Sequence, residues 1–562
     1  MGGNAPAMTF GQIGAGVKKL PGNGYTARKS CVIIAPQTLD GKARYQGFQE
    51  LREAGGVSGA PAGLLLLGRR LGACARRLKR NIIPMLIGFV VVYLLLSVGI
   101  GLYAATRVRN ARDFAVAGRS LPFPIVTAMV FATWFGSEAV LGIPATFIDK
   151  GFAGIVEDPF GSSMCLVLVG LLFARPLYRL NLLTIGDFYK QRFGRNVELF
   201  VSLCIIASYL GWVAAQLTAL GVVFNVLSQG AISANAGMLL GAGIVLVYTL
   251  FGGMWSVALT DFFQMTVIVA GLLYLTWLIG DMAGGPVKVL QHAAAQDKFT
   301  MIPSLSPKDV VGFVGALLTM MLGSIPQQDI FQRVMSAKNE NVAARASMVG
   351  GGLYLTFCML PIFIGFAATL IDPTMVSRWM QQDAQMILPS LILERTPLFA
   401  QVMFFGALLS AIMSTASGTL LAPSVTFTEN VLSRFIPVMS DRQFLLAMRL
   451  TVVGLAIITT VFALLSDATI YEMVGNAYKV TLVSAVAPLF AGLFWKRSTP
   501  QGALLAIALG LGSWLALDWF GPADPFWPPQ LAGLGFSIVG MVAGSLLPQR
   551  LGRGALAAVG RF

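Results

Sequence analysis

Apolar runs of about twenty residues recur from Asn81 to near the end of the chain, separated by short polar stretches. Each run is long enough to cross the ~30 Å hydrocarbon core as a helix. They lie near 83–106, 121–148, 155–178, 197–228, 235–251, 256–280, 309–334, 343–371, 397–431, 443–466, 469–494, 499–519 and 530–548. The pattern predicts an all-α integral membrane protein of about thirteen transmembrane helices. Residues 1–80 break the pattern: they are Gly-rich, mixed in polarity and end in the basic residues Arg69, Arg70, Arg76, Arg77, Lys79 and Arg80. We read 1–80 as a disordered extension with a short helix near 62–80, 81–550 as the membrane domain and 551–562 as a tail.

Two of the runs are interrupted. The stretch Phe131 to Gly142 carries Thr133, Trp134, Gly136, Ser137 and Glu138 in the middle of the second run. Five runs later, 309–334 is broken by Gly323, Ser324, Pro326, Gln327, Gln328 and Asp329. Unwound backbone at membrane depth is tolerated where it lines a cavity, and it offers carbonyls to ions and amides to solutes. Five is odd, so the two halves run in opposite directions. The expectation is a pair of inverted five-helix repeats, about 121–280 and 309–494, with a site between them. Glu138, an ionisable group inside a span, is a functional candidate. The competing reading is a kinked structural helix whose small residues pack a neighbour.

Composition narrows the class. The chain of 562 residues is 56% hydrophobic and 12% charged, against roughly a quarter charged in soluble domains. The net charge of +15 does not indicate nucleic acid, because the Lys and Arg gather in alternate loops: Arg107 to Arg119, Arg175 to Arg195, Arg333 to Arg345, Arg434 to Arg442, then Lys496 and Arg497. By the positive-inside rule that side is cytoplasmic, and so is the C-terminus. The basic cluster before the first span runs against this, and we expect residues before about Met85 to lie outside the native folded protein. Five scattered cysteines and a single His292, placed in a polar loop, argue against a metal centre or His-based catalysis.

The run 397–431 adds a chemical feature. Ala411, Ser414 and Thr415 are spaced i, i+3, i+4 and share one helix face. Two hydroxyls set against bare carbonyls of an unwound helix make a neutral oxygen site suited to Na⁺. The alternative is that the hydroxyls bond back to the preceding turn.

At this point the chain resembles the sodium:solute symporter family. The resemblance rests on Phe114 to Leu121, on Phe251 to Gln264, on Leu408 to Gly418, and on Gly492 to Thr499 with Gly502. It implies a LeuT-type core and Na⁺ held by the carbonyls of Ala132, Phe135 and Ala411 and the hydroxyls of Ser414 and Thr415. Ala132 to Gly136, Gly323 to Val334 and Phe173 to Pro176 look most like the high-affinity choline transporters. There an aromatic cage would hold a quaternary ammonium. Trp134 and Trp212 match cage positions, while Gln327 stands where that group has Trp and Ser162 where it has Tyr. Glu138, Glu157 and Asp158 are not implied by the resemblance; carboxylates there suit an ammonium or a proton. The candidate solute contacts are Trp134, Glu138, Asp158, Ser162, Trp212, Gln327 and Gln328. Asp261 is a candidate on the ion path or a helix cap. Lys479, read as deep in its span, is expected to meet an internal Glu or a solute carboxylate.

The resulting expectation is a secondary active symporter of the plasma membrane, not an enzyme, importing a small polar organic solute with Na⁺ by alternating access. It needs no cofactor besides that ion and no obligate protein partner. A membrane sensor on the same fold and a proton-coupled carrier using Glu138 are the alternatives.

Overall fold

The computed structural model describes residues 62–549, apart from 303, 305, 437 and 523, with side chains from Pro84 onward. The chain divides into two units, Met1–Pro84 and Met85–Phe562. Of the first, the described part is helical. Residues 1–61 and the tail lie outside the described residues, as do the side chains of the basic cluster. All that follows concerns the second unit.

Among the described residues the unit is helical, with one isolated bridge between Leu121 and Ala337. The helices used below, in chain order, are α1 (Ala62–Ala105), α2 (Phe123–Ala132), α3 (Ile143–Lys150), α4 (Ser162–Leu168), α5 (Ile185–Phe193), α6 (Arg195–Leu227), α7 (Ala234–Met282), α8 (Pro307–Gly323), α9 (Gln328–Met335), α10 (Glu340–Ile371), α11 (Leu398–Thr426) and α12 (Ile470–Ser484). Among the described residues nine helices are long and apolar enough to cross a membrane, or up to 11 if each bent pair is one span. The thirteen apolar runs all fall on helix. The counts differ because two continuous helical stretches each carry two expected spans.

α7 is one of them. Its 49 residues would measure roughly 74 Å if straight, over twice the ~30 Å hydrocarbon core. The chain escapes this at Gly253, whose φ of 49° and ψ of −139° are not helical. The reversal shows in its contacts. Tyr248 donates to the Met413 carbonyl at 2.8 Å and Ser414 donates to Asp261 at 2.6 Å. Two residues thirteen positions apart therefore meet neighbouring positions of α11, which a straight helix would hold ~20 Å apart. The second case is Glu138–Arg179, which turns at Gly151, φ 64°.

Both expected breaks are present. α2 ends at Ala132, and helix resumes through a π-helical turn, Glu138–Gly142, into α3. α8 and α9 are bent by 49° across Ser324 to Gln327. α11 runs beside them and is buried throughout Ala407–Thr426, as expected of a helix apolar all round with no lipid-facing side. The polar loops hold further short helices, Pro286–Ala295, Pro373–Gln382 and Ile387–Arg395. His292 thus sits on a helix rather than in a loop, with its Nε2 3.0 Å from Gln296.

Candidate functional site

The first break owes its shape to Gly136. A Cβ there would lie 2.8 Å from Glu138 Oε2, 2.8 Å from Thr415 Oγ1 and 2.9 Å from Gln216 Oε1. Only glycine lets this backbone approach α6 and α11 so closely. Thr415 donates across the gap to the Ala132 carbonyl at 3.3 Å, so one hydroxyl and one carbonyl of the expected ion site already face each other. Ser414, on the same helix, donates instead to Asp261. A serine that donates its proton keeps lone pairs to offer. The donor set is neutral oxygen, which fits a hard monovalent cation. Ala411 and Phe135 are buried beside it, with the Phe135 ring stacked on Phe131 at 4.9 Å and edge-on to Tyr354 at 6.1 Å.

Next to this oxygen cluster lies an aromatic one. Trp134 Nε1 donates to Tyr478 Oη at 2.7 Å. Trp212 meets Tyr478 edge-on at 5.3 Å and stacks on Tyr209 at 5.9 Å. Tyr354 packs edge-on against Trp134 at 6.2 Å and donates to Asp158 Oδ1 at 2.6 Å. Ser162 donates to the same oxygen at 2.5 Å. Glu138 Oε2 accepts from Gln216 Nε2 at 2.8 Å, and Gln216 Oε1 accepts from the Ser137 amide at 3.0 Å. Gln327 donates to Ser208 at 3.1 Å and Thr481 at 3.2 Å. All these side chains are buried. Three of their polar atoms have no hydrogen-bond partner: Glu138 Oε1, Asp158 Oδ2 and Trp212 Nε1. Among the described residues neither carboxylate makes a salt bridge. Buried polar groups are normally satisfied, so the two free carboxylate oxygens suit a cationic or hydrogen-bond-donating guest.

The structure brings together Trp134, Glu138, Asp158, Ser162 and Trp212; Gln327 bonds to Ser208 and Thr481, one helical turn from Trp212 and Tyr478. It does not bring Gln328 to them: its Oε1 accepts from the Ile185 amide at 2.8 Å, so it faces α5. Asp261 caps nothing; it lies inside α7, bonded to Ser414 and 3.5 Å from Arg333. Lys479 is not deep. Its Nζ donates to Asn476 at 2.8 Å, and it lines a half-open pocket of about 200 Å³ with Glu157 and Glu472. Its carboxylate neighbour is Glu157, not Glu138.

Sequence reasoning missed Gln216, Tyr354, Tyr478, Tyr209, Arg333 and the partnership of Asp329. Polar groups inside apolar runs were the available signal, Gln216 above all. Tyr354 and Tyr478, from two other helices, pack edge-on against Trp134 in this cluster.

The profile of the sodium:solute symporter family matches residues 114–510. The chain belongs to this family. It is accordingly a multi-pass membrane transporter that couples Na⁺ to a small polar solute. This symporter is 27% identical over 450 residues to the human high affinity choline transporter 1, covering 76% of this chain and 75% of that one. It is likewise 27% identical to a high-affinity proline transporter of Bacillus subtilis, covering 80% and 95%. Its fold matches a Na⁺-coupled sialic acid symporter, solved substrate-bound and outward-open, with a TM-score of 0.71, 21% identity and coverage of 83% and 98%.

Proposed function

We propose that this symporter imports a small solute bearing a positively charged nitrogen, held by Glu138 and Asp158 within a wall of Trp134, Trp212, Tyr354 and Tyr478. The observation that carries the reading is the pair of buried carboxylates whose free oxygens, Glu138 Oε1 and Asp158 Oδ2, have no base to neutralise them. A buried charge is expensive until something pairs with it. Ring faces add a favourable field for the same cation. Choline and proline, the solutes in the relatives' names, both carry such a nitrogen.

The Na⁺ ligands are the carbonyls of Ala132, Phe135 and Ala411 and the hydroxyls of Ser414 and Thr415. Ion binding there ties α11 to the first break and favours whichever state brings the two together. Because the break also positions Trp134 and Glu138, the same ordering prepares the solute site. An inward Na⁺ gradient then drives import. The protein sits in the plasma membrane with the basic loops and the C-terminus in the cytoplasm, by the positive-inside rule.

The test is uptake into proteoliposomes of labelled choline and L-proline, with Na⁺ or K⁺ outside and at two pH values. A thermal-shift screen of amines, amino acids and plain carboxylates, with and without Na⁺, widens the solute set, since a true ligand stabilises by mass action. Uptake that persists unchanged in K⁺ and follows pH instead would replace Na⁺ with a proton on Glu138. A solute lacking any ammonium group would overturn the cation reading.

A further inference from the structure

A second buried acid cluster begins beside Ser414. Arg333 is completely buried and sits between two carboxylates, 3.5 Å from Asp261 and 3.4 Å from Asp329. Both contacts are longer than the 2.7–2.9 Å of a committed charge-assisted bond. Its Nε and Nη2 make no hydrogen bond. Nη1 donates to Asp329 Oδ2 at 3.4 Å while Nη2 faces Asp261, so one guanidinium is shared by two carboxylates through long contacts. Space for it exists because Gly418 lacks a side chain; a Cβ there would lie 2.3 Å from Nη2.

Each carboxylate leads to a different site. Asp261 accepts from Ser414, a ligand of the proposed ion site. Asp329 accepts from Tyr209 Oη at 2.5 Å and returns its own amide to that oxygen at 2.9 Å. Tyr209 in turn lies flat on Trp212, 15° from parallel. A continuous path thus runs Ser414, Asp261, Arg333, Asp329, Tyr209, Trp212. It joins α11, α7, α9 and α6.

Resting on the Na⁺ reading above, we propose that Arg333 couples ion binding to the solute site by moving between Asp261 and Asp329. Na⁺ beside Ser414 polarises its O–H and strengthens its bond to Asp261. The cation also repels the guanidinium. Both effects push Arg333 toward Asp329 Oδ2, and the tighter ion pair draws charge from Oδ1, weakening its hold on Tyr209. Tyr209 loosens, and Trp212 shifts with it. Arg333, Asp329 and Tyr209 touch neither ion nor solute; they are positioning residues. Sharing one charge between two acceptors supplies the two-state element that coupling requires.

Na⁺ alone is a sufficient probe. The chain labelled with 5-fluorotryptophan gives a ¹⁹F resonance for Trp212, assigned by its loss in Trp212→Phe. Titration with Na⁺ against K⁺ should move that resonance in the wild type. Tyr209→Phe keeps the ring stack but lacks the hydroxyl, and there the resonance should stay still. Na⁺-dependent thermal stabilisation, read in parallel, should keep its midpoint within about twofold, since the substitution is remote from the ion. Arg333→Lys should behave as Tyr209→Phe does, because a single compact ammonium lacks the planar fork that sets one nitrogen against each carboxylate. A Trp212 resonance that still follows Na⁺ in Tyr209→Phe overturns the proposal, as does one that ignores Na⁺ in a wild type that Na⁺ stabilises. Failure of Na⁺ to stabilise the wild type more than K⁺ would instead remove the ion reading itself.

Discussion

The two buried acid clusters differ in one respect. Asp261 and Asp329 share Arg333, whereas Glu138 and Asp158 have no base among the described residues. Both pairs are sealed from water, and both lie within reach of a broken helix. The inner pair carries its own counter-charge and ties four helices into one network. On the proposed reading the Glu138–Asp158 pair is completed by a ligand that comes and goes. Internal neutralisation then goes with scaffold and coupling, and an uncompensated charge with a binding site.

This contrast predicts opposite signs for stability. Arg333→Gln leaves two carboxylates in apolar surroundings without their cation. Breaking a buried pair in this way costs about 3–5 kcal/mol, so unfolding temperature and yield in detergent should fall sharply. Glu138→Gln removes one of two uncompensated acids, so the ligand-free protein should be no less stable than wild type, or more so. Equal destabilisation by the two substitutions would erase the distinction.

The second largest effect separates ion from solute. Ser414→Ala combined with Thr415→Ala should raise the Na⁺ concentration for half-maximal uptake roughly 10–100-fold, the usual scale for damage to an ion site. The fall in affinity should appear at any solute concentration. Unaltered Na⁺ dependence in the double variant would count against these hydroxyls as ligands.

Much of the architecture was legible before any coordinates. Apolar run length marks spans regardless of partners, and polar residues inside a run mark breaks, so α2–α3 and α8–α9 stood out. The family motifs placed the LeuT-type core. What stayed hidden was rotation about helix axes. Gln327 and Gln328 are neighbours in sequence, yet the bend between α8 and α9 sends one to Ser208 and Thr481 and the other to α5. Lys479 read as deep because its run is apolar, but it shares a polar edge with Asn476 and the Glu472 turn. Tyr354 and Tyr478 looked like ordinary span residues. Their role comes from facing Trp134 across three helices, which one-dimensional spacing does not encode.

A third prediction bears on the outer cluster alone. Glu138→Gln should weaken solute binding by ~10–30-fold, the range of a lost charge-assisted hydrogen bond. Na⁺ stabilisation measured without solute should persist. Asp158→Asn should act in the same direction, with Tyr354 and Ser162 still able to donate to the amide oxygen. If neither substitution changes solute affinity, the orphaned oxygens are not the recognition element.

The smallest effect belongs to an acid–base pair of the same chemistry placed near the surface. Asp372 lies just past α10 and accepts from Arg395 Nε at 3.1 Å, from Thr374 at 2.8 Å and from the Met375 amide at 3.1 Å. Partial burial pushes its carboxyl up, but these donors outweigh that, and its pKa is held below the usual value. A depressed carboxyl stabilises the fold above its unfolded pKa of about 3.9 and loses that contribution as pH falls through the folded value. The pair should therefore be silent from neutral pH down to about 4. Below that the wild type should lose its small advantage over Asp372→Asn. Arg395 remains partly exposed, and exposed pairs contribute about 0–1 kcal/mol. Melting curves of the two proteins should nearly coincide at pH 7 when set beside the Arg333→Gln loss. A large gap there would mean that solvent access does not separate the buried clusters from this one, and that burial is the wrong axis on which to rank them.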